Sequence, residues 1–411
     1  MVKFKGSALL SMFTLRLISV ALIFIANLFL VKLFPLSIVG QYYLLTALAY
    51  FGHALYFLGC DLYLQSKMKT TSKNLSINLP SLRWFLVKTS LPGVVMVFFI
   101  SSLFFLLTDQ SGSIINNALV IVLITLSTYF SLIMKNILQI IDFKIYFLVY
   151  LIIESVVKLA VILAFGLSDY FNPMMLLLSI YALILIQFGI FYLFLAKETV
   201  KGNKVYFRSY RSLLYKVYPT AKSAVLNWLH LHAYKPASSS IGLSSTNLGI
   251  ISYLIALGSS ASQAFIGLIF QKMLPAIYSS NGGGAKKFIL ILCITCFILV
   301  LLSLPVSIVF IDFIGKAELS SYFWLVAIGV IIEFLNAIVG VVAVFANIRS
   351  VSLMNKISVF NLYGFLSLIL CYLSLLYVVD DIVIRFSLSL LISQVIVTLL
   401  VFFNYLKFKE D

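Results

Sequence analysis

Charge is the first scarcity. Of 411 residues only 10% are charged, and 13 acidic residues stand against 29 basic ones. A soluble domain carries about 25% charged residues, so a soluble enzyme, a nucleic-acid-binding protein and a secreted disulfide module are all excluded. Cysteine is scarce too: Cys60, Cys293, Cys296 and Cys371 lie in or beside apolar runs. Cys293 and Cys296 form a CxxC with no histidine or second pair nearby, which reads as core rather than as a metal or redox centre. Of three histidines, His230 and His232 sit two apart, on different sides of a helix, without neighbouring carboxylates. Walker, triad and paired-carboxylate signatures are missing. The run Gly282-Gly283-Gly284 follows no strand and leads only to Lys286, so it reads as a flexible loop and not as a phosphate cradle. The expectation is a chain that is not an enzyme, with no cofactor, no metal and no nucleic-acid partner.

What the chain has instead is apolar length. Hydrophobic residues make up 63%, and the mean hydropathy is +1.13. At roughly 20–25 residues per span plus short loops, this length suits about a dozen transmembrane helices, with no room for an extramembrane domain. The apolar runs predict spans over Ser7 to Leu33, Gln41 to Gln65, Trp84 to Leu107, Ile114 to Gln139, Ile145 to Gly166 and Pro173 to Ala196. A second set covers Ser212 to Tyr234, Leu248 to Phe270, Lys287 to Phe310, Leu319 to Asn347, Lys356 to Val379 and Ile382 to Leu406. Helix is the only option for such runs, because backbone polar groups facing lipid need partners within their own segment. The first run is too long for a cleavable signal and is expected to stay as a span.

Loop charge then sets orientation. Alternate loops collect Lys67, Lys69, Lys73 and Arg83, then Lys144, then Lys197, Lys201, Lys204, Arg208 and Arg211, and later Lys272, Lys286 and Arg349. The intervening loops hold Asp109, Asp169, Asp312, Glu318, Asp380 and Asp381 against Lys235 and Lys316, with Lys32 and Arg385 near helix ends as further departures. Basic loops stay inside, so both termini are expected in the cytoplasm, and the net charge of +16 is accounted for by cytoplasmic loops and anionic lipid.

The basic stretch 197–211 divides the chain into an N-terminal six-helix bundle, residues 1–196, and a C-terminal one, residues 212–411. An internal match supports the division. Ser37-Ile-Val-Gly40-Gln-Tyr-Tyr-Leu-Leu-Thr-Ala47-Leu48 and Thr246-Asn-Leu-Gly249-Ile-Ile-Ser-Tyr-Leu-Ile-Ala256-Leu257 share hydroxyl, glycine, alanine and leucine at one spacing, 209 positions apart. Ser37 and Thr246 read as N-caps, and Gly40 and Gly249 as sites of close helix approach or of a bend. With six spans per half, the repeat is parallel about an axis along the membrane normal, a common transporter plan.

Ionisable residues inside spans carry the functional signal, because each costs roughly 2.5–3.5 kcal/mol at the bilayer centre on insertion scales. Arg16, Glu154, Lys158 and Glu333 lie deep; Asp61, Lys135 and Lys222 lie nearer the basic-loop ends. Glu154 and Lys158, four apart, share one helix face, whereas Lys135 and Asp61 read as snorkelling to the interface. Polar stripes run through Arg16, Ser19 and Asn27, through Tyr43, Thr46, Tyr50 and His53, through Ser223, Asn227 and His230, and through Ser252, Ser259 and Gln263. These stripes predict a hydrophilic cavity. Arg16, Lys158, Lys222, Tyr43, Tyr50, Asn227 and Gln263 are its candidate substrate contacts, with Arg16 facing Lys222; Asp61, Glu154 and Glu333 are candidate ion-coupling groups.

The segment Phe34-Pro-Leu-Ser-Ile-Val-Gly-Gln-Tyr-Tyr after the first span, and Gly59-Cys-Asp61-Leu at the end of the second, resemble those of Wzx-type O-antigen and polysaccharide flippases of the MOP (multidrug, oligosaccharidyl-lipid and polysaccharide) exporter superfamily, although the family's usual glycine after Asp61 is absent. The resemblance implies a multi-pass protein of the bacterial inner membrane acting in lipopolysaccharide or other polysaccharide biosynthesis. Its implied substrate is an undecaprenyl-pyrophosphate-linked oligosaccharide, moved from the cytoplasmic to the periplasmic face; membrane lipids and the polymerase and chain-length regulator of the same pathway are the implied partners. Two alternatives stand beside it. A membrane-embedded polymerase would need a large outer loop, whereas here no outer loop exceeds roughly a dozen residues by span counting. A small-molecule exporter of the same superfamily, if it carried cationic drugs, would sit poorly with a cationic cavity.

Overall fold

The computed structural model describes residues 6–57, 60, 64, 75–77, 79–107, 114–140, 144–168, 170–197, 203–205, 222–238, 240–279, 285–349 and 351–410. Asp61, most of the basic stretch 197–211 and Gly282-Gly283-Gly284 lie outside them. The chain is an all-α membrane protein. Its helices are α1 (Gly6–Leu33), α2 (Leu36–Gly52), α3 (Leu79–Leu107), α4 (Ile114–Ile140), α5 (Lys144–Leu167) and α6 (Pro173–Lys197). Then follow α7 (residues 222–232), α8 (Ser245–Ser279), α9 (Ala285–Ile314), α10 (Leu325–Arg349), α11 (Val351–Leu375) and α12 (Ile382–Glu410). Among the described residues, ten of these are long and apolar enough to cross a membrane; α2 and the described part of α7 are the short ones.

The helices group into two compact units, residues 1–26 with 44–225 and residues 27–43 with 226–411. The corner between α1 and α2 thus packs with the second unit, although it precedes the basic stretch by far. Within the first unit α4 is the central helix, packing against α3, α5 and α6; within the second, α10 packs against α8, α9, α11 and α12. The fourth helix of each half is therefore the buried one, as a repeat requires. One feature was absent from the sequence expectation. Leu75–Ile77 (β1) and Asn203–Val205 (β2) pair as short parallel strands, with Leu75 opposite Asn203. They tie together two basic loops that the span count puts on one side.

Several expected boundaries shift. The second span begins at Leu36 rather than Gln41, because the Pro35 carbonyl already accepts the Ile38 and Val39 N–H groups. Ser37 therefore lies inside the first turn and is not its cap. At α8 the cap is Ser244, whose hydroxyl accepts the Asn247 N–H at 3.1 Å, and Thr246 is one residue inside the helix. The tenth span starts at Leu325, since Ala317–Ser320 forms a separate short turn. Nor is the second span regular to its end. After Gly52 it widens into a π-turn, His53–Phe57. In an α-helix the Ala49 carbonyl would accept the His53 N–H; here the Thr125 hydroxyl of α4 reaches that carbonyl, at 3.2 Å. Side chains seal the widened turn: Phe57 lies 4.5 Å from the Tyr129 ring, and on its other side it fills the space over Gly93 of α3.

The internal match becomes a physical contact. A Cβ on Gly40 would run into the Ser245 carbonyl, and one on Gly249 would run into the Leu36 carbonyl. Leu36 and Ser245 are themselves 209 positions apart, so the first turns of α2 and α8 cross reciprocally, each glycine under the carbonyl four residues before the other. Further along α8, Gly258 and Gly329 bring it equally close to α10. The cations that broke the loop-charge alternation find their use at the same corner. Lys32 Nζ lies 3.6 Å from the centre of the Phe313 ring, which Phe29 also meets edge-on. Lys316 donates to the Phe34 carbonyl, and Lys235 lies over the Tyr43 ring at 5.5 Å. The fourth, Arg385, caps the end of α11 by donating to the Val379 carbonyl through Nε and Nη2 at 3.0 and 2.7 Å. Asp381 caps α12 by accepting the Val383 N–H at 2.7 Å. Its other oxygen accepts the Tyr322 hydroxyl at 2.7 Å, a bond that holds the phenol up at about 12.

Crossings made of backbone against backbone cannot accept a side chain. Gly40→Val or Gly249→Val should lower stability by about 1–3 kcal/mol, the usual cost of overpacking. Gly189→Ala in α6, where an added Cβ meets nothing within 4 Å, should stabilise by about 0.5–1 kcal/mol. Thermal melts of the three purified variants measure both effects.

Candidate functional site

The most concentrated charge among the described residues lies in the first unit. Glu154 of α5 is shared between two lysines: Lys135 Nζ of α4 at 2.6 Å on one oxygen and Lys158 Nζ at 3.3 Å on the other. The Ser131 hydroxyl donates to the first oxygen at 3.2 Å. The sequence paired Glu154 with Lys158 alone and sent Lys135 to the interface. The structure instead turns Lys135 inward, because α4 and α5 pack side by side and a carboxylate 13% exposed offers it a nearer partner than water does.

Arg16 joins the group from α1. A hydrogen bond between Ser19 and Ser155, 3.1 Å, sets the register of α1 on α5. One turn before Ser19, Arg16 lies over the Phe147 ring at 5.9 Å. Two lysines therefore share one carboxylate of α5, and Arg16 over Phe147 of the same helix adds a third cation to this unit, leaving a net positive charge where each lone charge is costly. Polar bonds brace the surrounding helices. Thr89 and the Tyr129 hydroxyl lie 2.7 Å apart, Ser127 donates to the Tyr181 carbonyl at 2.9 Å, and Gln187 donates to the Tyr150 carbonyl at 2.7 Å.

The remaining candidates distribute as follows. Lys222, exposed at the start of the described part of α7, groups with the first unit, as does Arg16. The two therefore belong to one compact unit and not to opposite ones. Tyr50 also belongs to the first unit and is 47% exposed. Tyr43 and Asn227 belong to the second, where Tyr43 meets Lys235. In the same unit Gln263 and Glu333 lie on α8 and α10, which pack against each other. His230, fully buried, bonds Ser393 of α12 at 2.8 Å through Nε2 and fills the space over Gly364. Asp61 lies outside the described residues. Lys135 and Ser393 are the residues that sequence reading missed. The signal for Lys135 was a carboxylate with more cations than acids at its depth; Ser393 had none.

No family model matches the chain, and no characterised protein sequence matches it. Its fold does match solved structures. A MATE in complex with MaL6 superposes with a TM-score of 0.53 at 12% identity, covering 96% of this chain and 89% of that one. The lipid II flippase MurJ in an inward closed conformation gives 0.51 at 14% identity, covering 97% and 87%. At such identities the likeness is one of fold, and it spans nearly the whole chain.

Removing the shared carboxylate should be costly. Glu154→Gln leaves two lysines facing a neutral amide and should destabilise by about 3 kcal/mol, the range for breaking a buried ion pair. Adding Lys135→Met should recover part of that loss, because it removes one of the cations. Melting temperatures of the single and double variants in one detergent decide the point.

Proposed function

We propose that the chain is a flippase that carries a polyprenyl-diphosphate-linked oligosaccharide from the cytoplasmic to the periplasmic face of the inner membrane by alternating access. The observation that carries this reading is Lys135 and Lys158 on the single carboxylate of Glu154, with Arg16 over Phe147 of the same helix. A net positive group there suits a diphosphate, which replaces water around the cations with charged oxygens. Arg16 can grip two phosphate oxygens, while the lysines act as point charges. Lys222 adds to the same field. Tyr50, of the same unit, offers a flat face for sugar. Glu154 serves as the internal counter-ion of the lysines, which leaves Glu333 and Asp61 as the ion-coupling candidates. The fold shared with MurJ, a protein named as a lipid II flippase, supports a lipid-linked substrate. The fold shared with a MATE supports small-molecule export as the second reading; the excess of cations over the one carboxylate of Glu154 favours an anionic cargo over a cationic one.

In cells whose surface polysaccharide depends on this protein, Arg16→Ala with Lys222→Ala should abolish display while membrane insertion stays normal, and Arg16→Lys should keep partial activity. Lipid-linked sugar units should then accumulate on the inner side. Normal display by the double variant at normal expression would overturn the reading.

The loop charges further predict a cytoplasmic reading for a reporter fused at Lys204 and periplasmic readings at Asp169 and Asp380. Labelling of a cysteine placed at Lys204 by an impermeant reagent in intact cells would contradict that orientation.

A further inference from the structure

The start of α3 carries a feature that the transport reading does not use. Arg83, Trp84, Val87, Lys88 and Leu91 recur at spacings of three and four and so share one side of the helix. The opposite side, through Leu82, Phe85, Leu86 and Thr89, is buried in the first unit. The exposed side, with Tyr192 of α6, lines a groove of about 770 Å³ that contains no carboxylate among the described residues. Trp84, Val87 and Leu91 are 40%, 60% and 68% exposed, and Lys88 Nζ lies 5.3 Å from the centre of the Trp84 ring. Pro92, at the apolar end of the groove, has no N–H to give the Lys88 carbonyl.

The groove changes character along its length. At 29 residues α3 is about 43 Å long, against a hydrocarbon core of about 30 Å, so its first turns stand in the headgroup layer. Arg83 and Lys88 lie about 7.5 Å apart along the axis, close enough for one phosphate to meet both. The indole of Trp84 and the phenol of Tyr192 suit the ester zone, where amphipathic rings settle. Val87, Leu91 and Pro92 then continue as an apolar wall. Two cations at the headgroup, no acid, and an apolar continuation complement one class of molecule.

We infer that this groove seats an anionic phospholipid, its phosphate held by Arg83 and Lys88 and an acyl chain lying along Val87, Leu91 and Pro92. The site is separate from the Glu154 cluster and stands whether or not the flippase reading does. Trp84 provides the readout. The chain has three tryptophans, so Trp228→Phe with Trp324→Phe leaves Trp84 as the sole emitter. This protein is reconstituted in phosphatidylcholine vesicles containing either brominated phosphatidylglycerol or brominated phosphatidylcholine. Half-maximal quenching of Trp84 should need on the order of tenfold less of the anionic lipid, the preference two basic residues give near a membrane surface. Arg83→Gln with Lys88→Gln should abolish that preference while leaving quenching by brominated phosphatidylcholine unchanged, which shows that the groove is intact. Equal quenching by the two lipids, or a preference that survives the double substitution, would overturn the proposal. Relief of the quenching by stoichiometric polyprenyl diphosphate, with no effect of added phosphatidylglycerol, would also overturn it and assign the groove to the transported lipid.

Discussion

Hydrocarbon offers no hydrogen bonds, and many polar groups among the described residues are arranged around that fact. The backbone answers by closing its own bonds in helices. Hydroxyl side chains answer by leaning onto carbonyls, as Thr89 and Ser101 do within their own helix, or by reaching across to another, as Thr125 does to Ala49. Charges answer by sharing. One carboxylate, Glu154, serves two lysines.

The same scarcity of partners explains how the repeat is held together. Lipid gives apolar side chains little reason to prefer one another, so close helix contact relies on backbones approaching without side chains between them. Gly40 and Gly249 do this reciprocally, and Gly258 and Gly329 do it again further along α8. The cations that depart from the loop-charge pattern are consistent with this picture. Lys32, Lys235 and Lys316 all fasten the corner between α1 and α2 onto elements of the second unit, through rings and one carbonyl. A charge on the acidic side of the pattern is thus a fastening rather than a topological error.

The candidate site was legible only in part. Arg16, Glu154 and Lys158 stood out because a charge deep in an apolar run needs a reason, and depth can be counted along a helix. Their mutual register could not be counted, since it depends on which faces of α1, α4 and α5 meet. Ser19 and Ser155 settle that register through one hydrogen bond, and Lys135 falls into place with it. Gln263 and Glu333, assigned to different tasks when read in sequence, lie on helices that pack against each other, α8 and α10. Lys222 joins the unit of Arg16, a grouping that follows from packing and not from position along the chain.

Sequence alone determined what depends on composition and order. It established helices as the only element able to span, the approximate reach of the spans, the alternation of loop charge and the 209-residue repeat with its two glycines. These are local or additive properties: hydropathy sums over a window, and a repeat is a matter of spacing. Tertiary structure decided what depends on faces. It selected which glycine lies under which carbonyl, which lysine turns toward Glu154, where α2 gives up its regular ladder, and why residues 27–43 pack with the second unit. An apolar helix in lipid is hydrophobic all round, so its sequence carries little information about which side meets a neighbour. That choice is made by a few polar bonds and close backbone crossings between residues far apart in the chain.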